Sequence, residues 1–155
     1  MSDRVRGALF NVLGDLEDLT VLDAFAGSGA LGFEAVSHGA AQVTMVDSDR
    51  LAQKVINENI AALGLSDRVK LIKASVGAWI ATSADVTFDV VLCDPPYDDI
   101  QPNLLALVAA RTKYDGICVL SLPPNQKVEL PAERFSLETT KSYGDATLAF
   151  YRRIS

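Results

Sequence analysis

Cysteine and histidine are scarce in this 155-residue chain, which holds only Cys93, Cys118 and His38. Both cysteines lie in apolar, strand-like runs with no histidine-rich spacing nearby. That argues against a disulfide framework or a Cys/His metal set, and no metal site is expected. His38 closes a helical pattern just before Gly39, a usual place for a helix C-terminal residue, so a histidine-based triad is not expected either. No apolar run approaches the roughly 18 residues of a membrane span, and the N-terminus lacks the basic-then-apolar order of a signal peptide. The chain is therefore expected to be cytoplasmic. Basic residues are also few, 14 against 20 acidic, for a formal net charge of −6. That balance counts against a free-standing nucleic-acid binder. It leaves room for a local patch if Arg4, Arg6, Arg111, Lys113, Lys127, Lys141, Arg152 and Arg153 gather in the fold. Hydrophobic residues are plentiful at 49%, enough for one domain over residues 1–155 with a substantial core.

Periodicity organises the chain into alternating elements. Val5, Ala8, Leu9, Val12, Leu13 and Leu16 recur at helical spacing after a Ser2 or Asp3 cap, with Arg4 and Asn11 off the stripe. Residues 20–25 read as a strand, 30–37 as a helix and 43–46 as a second strand ending at Asp47. A helix capped by Ser48 or Asp49 runs to Leu63, with Leu51, Val55, Ile56, Ile60 and Leu63 facing inward and Gly64 as its stop. Residues 69–73 form a third strand, 76–82 a short helix around Trp79, 88–93 a fourth strand, 103–110 a helix and 117–122 a fifth strand. After Pro123-Pro124, residues 137–143 and 147–153 flank a Gly144-Asp145 turn, a hairpin signal. Repeated strand-helix-strand units require right-handed crossovers and a mostly parallel sheet. An α/β domain closed by an antiparallel hairpin is expected.

The first strand runs into Asp23-Ala24-Phe25-Ala26-Gly27-Ser28-Gly29-Ala30-Leu31-Gly32. Small residues there let backbone pass close to a ligand at a helix N-terminus. Asp47 follows Gly27 by 20 residues at the end of the second strand, where a carboxylate can hold ribose hydroxyls. The glycine spacing alone does not separate NAD from other nucleoside cofactors. Asp23 bears on the choice, since an acid just before the loop repels a pyrophosphate and attracts an ammonium group. S-adenosylmethionine, with an amino acid tail and no phosphate, suits the loop better. Ala24, Phe25, Ser28 and Ser48 flank these positions and join the candidate cofactor set. Ser75 joins it with little weight, because serine at a strand-to-helix turn is more often a cap. The plain alternatives, a tight turn for the glycines and a capping role for Asp23, explain less of the pattern.

Asp94-Pro95-Pro96-Tyr97 follows the fourth strand, at the carboxyl end where ligands bind in open α/β sheets. Neither proline donates a backbone hydrogen bond, and each holds the preceding residue extended. A carboxylate, free carbonyls and an aromatic ring within four residues suit an exocyclic amine on a nucleobase. A rigid surface turn is the reading such a tetrapeptide has on its own. Its position beside the glycine loop and Asp47 reverses that preference.

Together Ser2-Asp3-Arg4-Val5-Arg6-Gly7-Ala8-Leu9-Phe10-Asn11, the glycine loop and Asp94-Pro95-Pro96-Tyr97 resemble the RsmD family of small-subunit ribosomal RNA guanine-N2 methyltransferases, over nearly the whole chain. The resemblance implies a class I methyltransferase fold: a Rossmann-like, seven-stranded, mostly parallel sheet whose last strand is antiparallel. S-adenosylmethionine would lie over the strand ends. Carried over by position, Asp23, Gly27 and Gly29 would contact its methionine part, Asp47 its ribose, and Asp94, Pro95, Pro96 and Tyr97 the target base. Arg4, Arg6 and Asn11 are candidates for RNA contacts, weighed equally against a solvated helix face. Family members usually carry an Arg- and Gly-rich β-hairpin before the region matching Asp3-Arg4-Val5-Arg6, and this chain starts without it. It is expected to be either truncated or a minimal member. Asp47 stands where family members often have Glu.

The leading expectation is methylation of a guanine N2 amine in ribosomal RNA by a monomer acting on the small subunit or an assembly intermediate. The alternatives are another amine acceptor (a DNA base, a protein glutamine, a small molecule) or a non-catalytic nucleoside-binding assembly module. An NAD oxidoreductase is weaker, because nothing in it explains Asp-Pro-Pro-Tyr.

Overall fold

The computed structural model describes residues 1–155. Twelve elements follow in order: α1 (Asp3–Leu13), β1 (Thr20–Asp23), α2 (Ala30–Ser37), β2 (Gln42–Asp47), α3 (Arg50–Ala62), β3 (Val69–Lys73), α4 (Val76–Thr82), β4 (Phe88–Cys93), α5 (Pro102–Ala109), β5 (Thr112–Leu122), β6 (Phe135–Ser142) and β7 (Thr147–Arg153). The seven strands form one sheet in the order β3-β2-β1-β4-β5-β7-β6. The first five run parallel, and β7 is antiparallel to both β5 and β6.

Strand alternation sorts the core into two layers. Val21, Val43, Met45, Val90, Leu92, Val119 and Phe150 pack with Val5, Leu9, Phe10, Leu31, Ala35 and Ile56, so α1, α2 and α3 cover one face. Leu22, Val46, Val91, Cys93, Cys118 and Leu120 pack with Val76, Trp79, Leu105 and Val108, so α4 and α5 cover the other. Burial on both faces explains the near-continuous apolar reading of β4 and the distal half of β5. The strand order reverses between β1 and β4, and the crevice above their carboxyl ends is the switch-point binding position of such sheets. The sheet, its layers and its closing hairpin are those of the class I S-adenosylmethionine-dependent methyltransferase fold.

Several boundaries move. β1 stops at Asp23 rather than Phe25, because the Ala24 and Ala26 N–H groups turn to the carbonyls of Leu92 and Val46 and start the loop. β5 begins at Thr112, five residues before the apolar run. Asp115 there has φ of 64°, and the pairing register slips between Phe88 and Val90, so an irregularity hides the strand's first half from a period-2 reading. Leu51 and Leu63 are 70% and 60% exposed rather than inward. The one buried residue of α3 is Ile56 near its middle, so the helix meets the core at its centre and leaves both ends at the surface. Asp49, not Ser48, caps α3 by accepting the Ala52 N–H at 2.9 Å.

Four of the scattered cations are taken up by the fold. Buried Arg111 donates to the carbonyls of Ile80, Ala84 and Val86 and lies over the Trp79 ring. Arg152 pairs with Glu138 and Asp115, Arg153 donates to the carbonyls of Ala110 and Thr112, and Lys113 pairs with Asp89. These side chains are engaged in holding the fold. Both cysteines are buried and free. Burial pushes the Cys118 thiol up to about 12, and burial, with Cys118, Asp94 and Asp23 nearby, raises Cys93 well above the usual thiol range, so both remain protonated core residues.

Candidate active site

A cleft of about 990 Å³ opens at the switch point. One end is built by the β1–α2 loop and the end of β2. Gly27 and Gly29 have φ of +57° and +85°, backbone that L side chains rarely adopt. At Gly29 a Cβ would also meet the Phe33 ring at 2.7 Å. The loop is pinned through its own N–H groups. Gly27 N–H donates to one Asp47 carboxylate oxygen at 2.7 Å, and Asp49 N–H donates to the other at 2.8 Å. A carboxylate has about four lone-pair sites, so Asp47, which lines the cleft, retains capacity for a ligand's hydroxyls.

Asp23 sits behind the loop, fully buried, with one oxygen accepting the Gly32 N–H at 3.0 Å and the other without a partner. Desolvation is the main reason its carboxyl is raised from 3.8 to about 7, opposed by the Gly32 bond and reinforced by repulsion from Asp94 and Asp47. A cationic ligand group would relieve exactly that repulsion, so this orphaned acceptor fits the ammonium-bearing tail of S-adenosylmethionine. The open glycine backbone and the spare capacity of Asp47 fit its nucleoside.

The other end is built by the residues after β4. Asp94 is partly exposed to the cleft, Pro95 is buried, Pro96 is exposed and Tyr97 is half-buried. Burial raises the Asp94 carboxyl above the usual range. The Met1 amine, 3.9 Å away, and the Ser121 hydroxyl act in the opposite direction. The Tyr97 hydroxyl lies 2.7 Å from Ser121 Oγ. Burial raises the Tyr97 phenol, eased by Ser121 and increased by Asp94 and Asp145.

Of the residues expected for the cofactor, Phe25, Gly27, Ser28, Asp47, Ser48 and Ser75 line the cleft. Asp23, Ala24 and Gly29 are buried beneath the loop, where they shape it. Ser75 also caps α4, accepting the Ala78 N–H at 3.1 Å. Arg6 reaches the cleft already paired with Asp3 at 3.0 Å and Glu34 at 3.3 Å. Arg4 and Asn11 are exposed on α1 away from the lining, and the Arg4 guanidinium lies 5.6 Å from the centre of the Tyr143 ring. Asp99, Gln101 and Asp145 line the cleft although sequence reasoning did not single them out. Asp99 and Gln101 follow Asp-Pro-Pro-Tyr within a few residues. Asp145 arrives from the β6–β7 turn, about fifty residues later, and only the closing of the sheet brings it there.

Against Asp47, Asp49, Asp94, Asp99 and Asp145 the lining sets one cationic side chain, Arg6. The cleft therefore favours ligand groups that donate hydrogen bonds or carry positive charge, and disfavours phosphate.

Comparison with known proteins agrees with this architecture. The family model described as "Conserved hypothetical protein 95" matches residues 1–152. "Putative rRNA methyltransferase YlbH" of Bacillus subtilis is 31% identical over 162 residues, covering 98% of this chain and 86% of that protein. Ribosomal RNA small subunit methyltransferase D of Escherichia coli K12 is 36% identical over 97 residues, 62% of this chain and 48% of that protein. A tRNA1(Val) (adenine(37)-N6)-methyltransferase of Shewanella loihica is 38% identical over 98 residues, 61% of this chain and 40% of that protein. Among solved structures, "Putative methyltransferase yhhF" from Escherichia coli superposes with a TM-score of 0.88 at 28% identity, covering 99% of this chain and 86% of that one. SMU.776, a methyltransferase solved in complex with SAH, shares the fold at a TM-score of 0.75 and 17% identity, over 96% of this chain and 48% of that one. With its sheet order, its glycine loop and its Asp-Pro-Pro-Tyr turn in one cleft, the chain belongs to the RsmD family of S-adenosylmethionine-dependent methyltransferases.

Proposed function

We propose that this chain methylates the exocyclic N2 amine of a guanine in small-subunit ribosomal RNA. The observation that carries this reading is the Asp94 carboxyl at the mouth of β4, in the same cleft as the Gly27–Asp47 cradle and in a lining that also holds Asp99 and Asp145. Bound S-adenosylmethionine supplies a methyl group already activated on a sulfonium, so the chain's own contribution is positioning. Asp47 and the glycine loop hold the nucleoside end, and Asp23 faces the charged tail from behind the loop. Asp94 and the Pro95 carbonyl accept hydrogen bonds from the target amine and localise its lone pair, while Tyr97 stacks on the extruded base. After transfer the amine's extra proton leaves to Asp94 or to water.

The acceptor-rich lining also bears on which base enters. Guanine presents its N1–H donor beside the N2 amine, whereas adenine presents an N1 acceptor beside N6. Asp94, Asp99 and Asp145 favour the first edge over the second. The lining further favours a base swung out of its strand, with the phosphates left outside. The reading takes the working form to be a monomer in the cytoplasm, acting on the small subunit or its assembly intermediate; the names of the relatives support its ribosomal RNA part. Adenine N6 in tRNA is the second reading, favoured by the partial similarity to the Shewanella enzyme.

The test is to incubate the protein with radiolabelled methyl donor and, separately, small subunits, free ribosomal RNA, tRNA and DNA, then identify the modified nucleoside. Label in N2-methylguanosine from ribosomal RNA supports the reading. Label in N6-methyladenosine from tRNA selects the second reading. No label in any acceptor, with the cofactor bound, points to a nucleoside-binding assembly module.

A further inference from the structure

The two prolines that make the acceptor turn stiff also deprive it of backbone donors, so the sheet's ladder cannot hold it. The turn's one local backbone bond runs from Asp99 N–H to the Pro96 carbonyl at 3.1 Å. Side chains and the chain's first amine hold it instead: the Met1 amine lies 3.9 Å from the Asp94 carboxylate, and the neighbouring strand supplies Ser121. Cys93 of β4 pairs with Leu120 of β5, which brings the next residues of both strands, Asp94 and Ser121, to the same level. Both follow residues buried against α4 and α5, so alternation directs both toward the face that α1 covers. Tyr97 packs against the core on that same face, and its hydroxyl meets Ser121 Oγ at 2.7 Å. Ser121 itself is 1% exposed, without water to replace a lost partner, and it is the only polar residue in the run from Ile117 to Leu122.

The geometry points to Ser121 as a positioning residue for methyl transfer, one hydroxyl that fixes Asp94 and Tyr97 relative to each other. A serine hydroxyl has one proton to give and two lone pairs. With the Tyr97 hydroxyl donating to it, Ser121 would have its own proton left for Asp94, which stands at the same strand level and only accepts. The order Tyr97 to Ser121 to Asp94 holds the ring that stacks on the base and the carboxylate that grips its amine in one frame. It also favours the charged form of Asp94, the direction in which Ser121 acts on that carboxyl. This inference rests on the reading that the Asp94–Tyr97 turn holds the acceptor amine.

The test compares Ser121→Ala with Ser121→Thr, which keeps the hydroxyl, using small ribosomal subunits and radiolabelled donor. Ser121→Ala is expected to lower kcat about 10- to 100-fold, the scale of a misplaced reacting group. Its cofactor affinity should stay within about twofold. The other groups facing Asp94, the Met1 amine at 3.9 Å and the buried Asp23, are the same in both proteins, so losing the hydroxyl that favours the charged carboxylate should move the acid limb of the pH–rate profile to higher pH. Ser121→Thr should restore both rate and limb. A 13C carboxyl titration of Asp94 in the folded protein reads the same coupling without substrate and should also shift upward in Ser121→Ala. Unchanged kcat with an unchanged acid limb overturns the inference, as does an Asp94 titration indifferent to the alanine. If Asp94→Ala itself still transfers methyl groups, the reading of the turn fails. The carboxyl titration then still reports separately whether Ser121 governs Asp94.

Discussion

The two ends of the cleft are held in place by different means. At the cofactor end the anchors are backbone N–H groups of Gly27, Gly32 and Asp49 donating to Asp47 and Asp23. These contacts join residues at most 20 positions apart. At the acceptor end the backbone offers almost nothing, because Pro95 and Pro96 have no N–H. There the anchor is a side chain from distant sequence, Ser121 against Tyr97, 24 positions away, while the closing hairpin brings Asp145 into the same lining. A backbone-built site tolerates many side chains around it, provided its glycines and two acids remain. A side-chain-built site can change specificity by single substitutions, which suits the end that selects the target.

The sharpest way to separate the two ends is Asp94→Ala. Methyl transfer should fall about a thousandfold, the scale of losing a group aimed at the reacting centre, while calorimetry shows cofactor affinity retained. Equal loss of both would merge the two ends into one functional unit.

The second experiment concerns the hidden member of the cofactor end. Asp23 is raised from 3.8 to about 7 in the fold, so the folded state holds a proton that the unfolded state releases. Stability from this group is fully present below about pH 4 and is lost as pH rises through about 7. Asp23→Asn keeps an oxygen for the Gly32 N–H and removes the titration. Relative to the parent, its unfolding free energy should improve between pH 4 and pH 8 by on the order of 4 kcal/mol. Urea melts at several pH values would show it, and a difference independent of pH would refute it.

Asp47→Ala is the milder counterpart. It removes the acceptor of two backbone N–H groups as well as the proposed ribose contact, and cofactor affinity should weaken about 10- to 100-fold. Acceptor-dependent rates at saturating cofactor should change little. A kcat loss as large as that of Asp94→Ala would contradict the division between the ends.

Much of the cofactor end was legible from residue types, because short-range rules govern it. A glycine between a strand and a helix, an acid before it and an acid 20 residues on have few geometric solutions. The exposed fate of Leu51 and the paired fates of Arg6 and Arg152 were not legible, since they depend on where α3 meets the core and on which carboxylates fold alongside. The same holds for Ser121, whose sequence context is that of a core strand with one polar residue at its end.

The sequence by itself determined the order of elements, the two-faced burial of the central strands, the glycine loop and the stiff turn after β4. Each follows from local periodicity or from the covalent limits of glycine and proline. Only the tertiary structure decided that Asp23 is sealed behind the loop, that Arg111, Lys113, Arg152 and Arg153 are engaged in structure, that Ser121 meets Tyr97, and that Asp145 joins the lining of the cleft. Those outcomes depend on strand register and sheet order, which bring together residues too far apart in the chain for any local rule to pair.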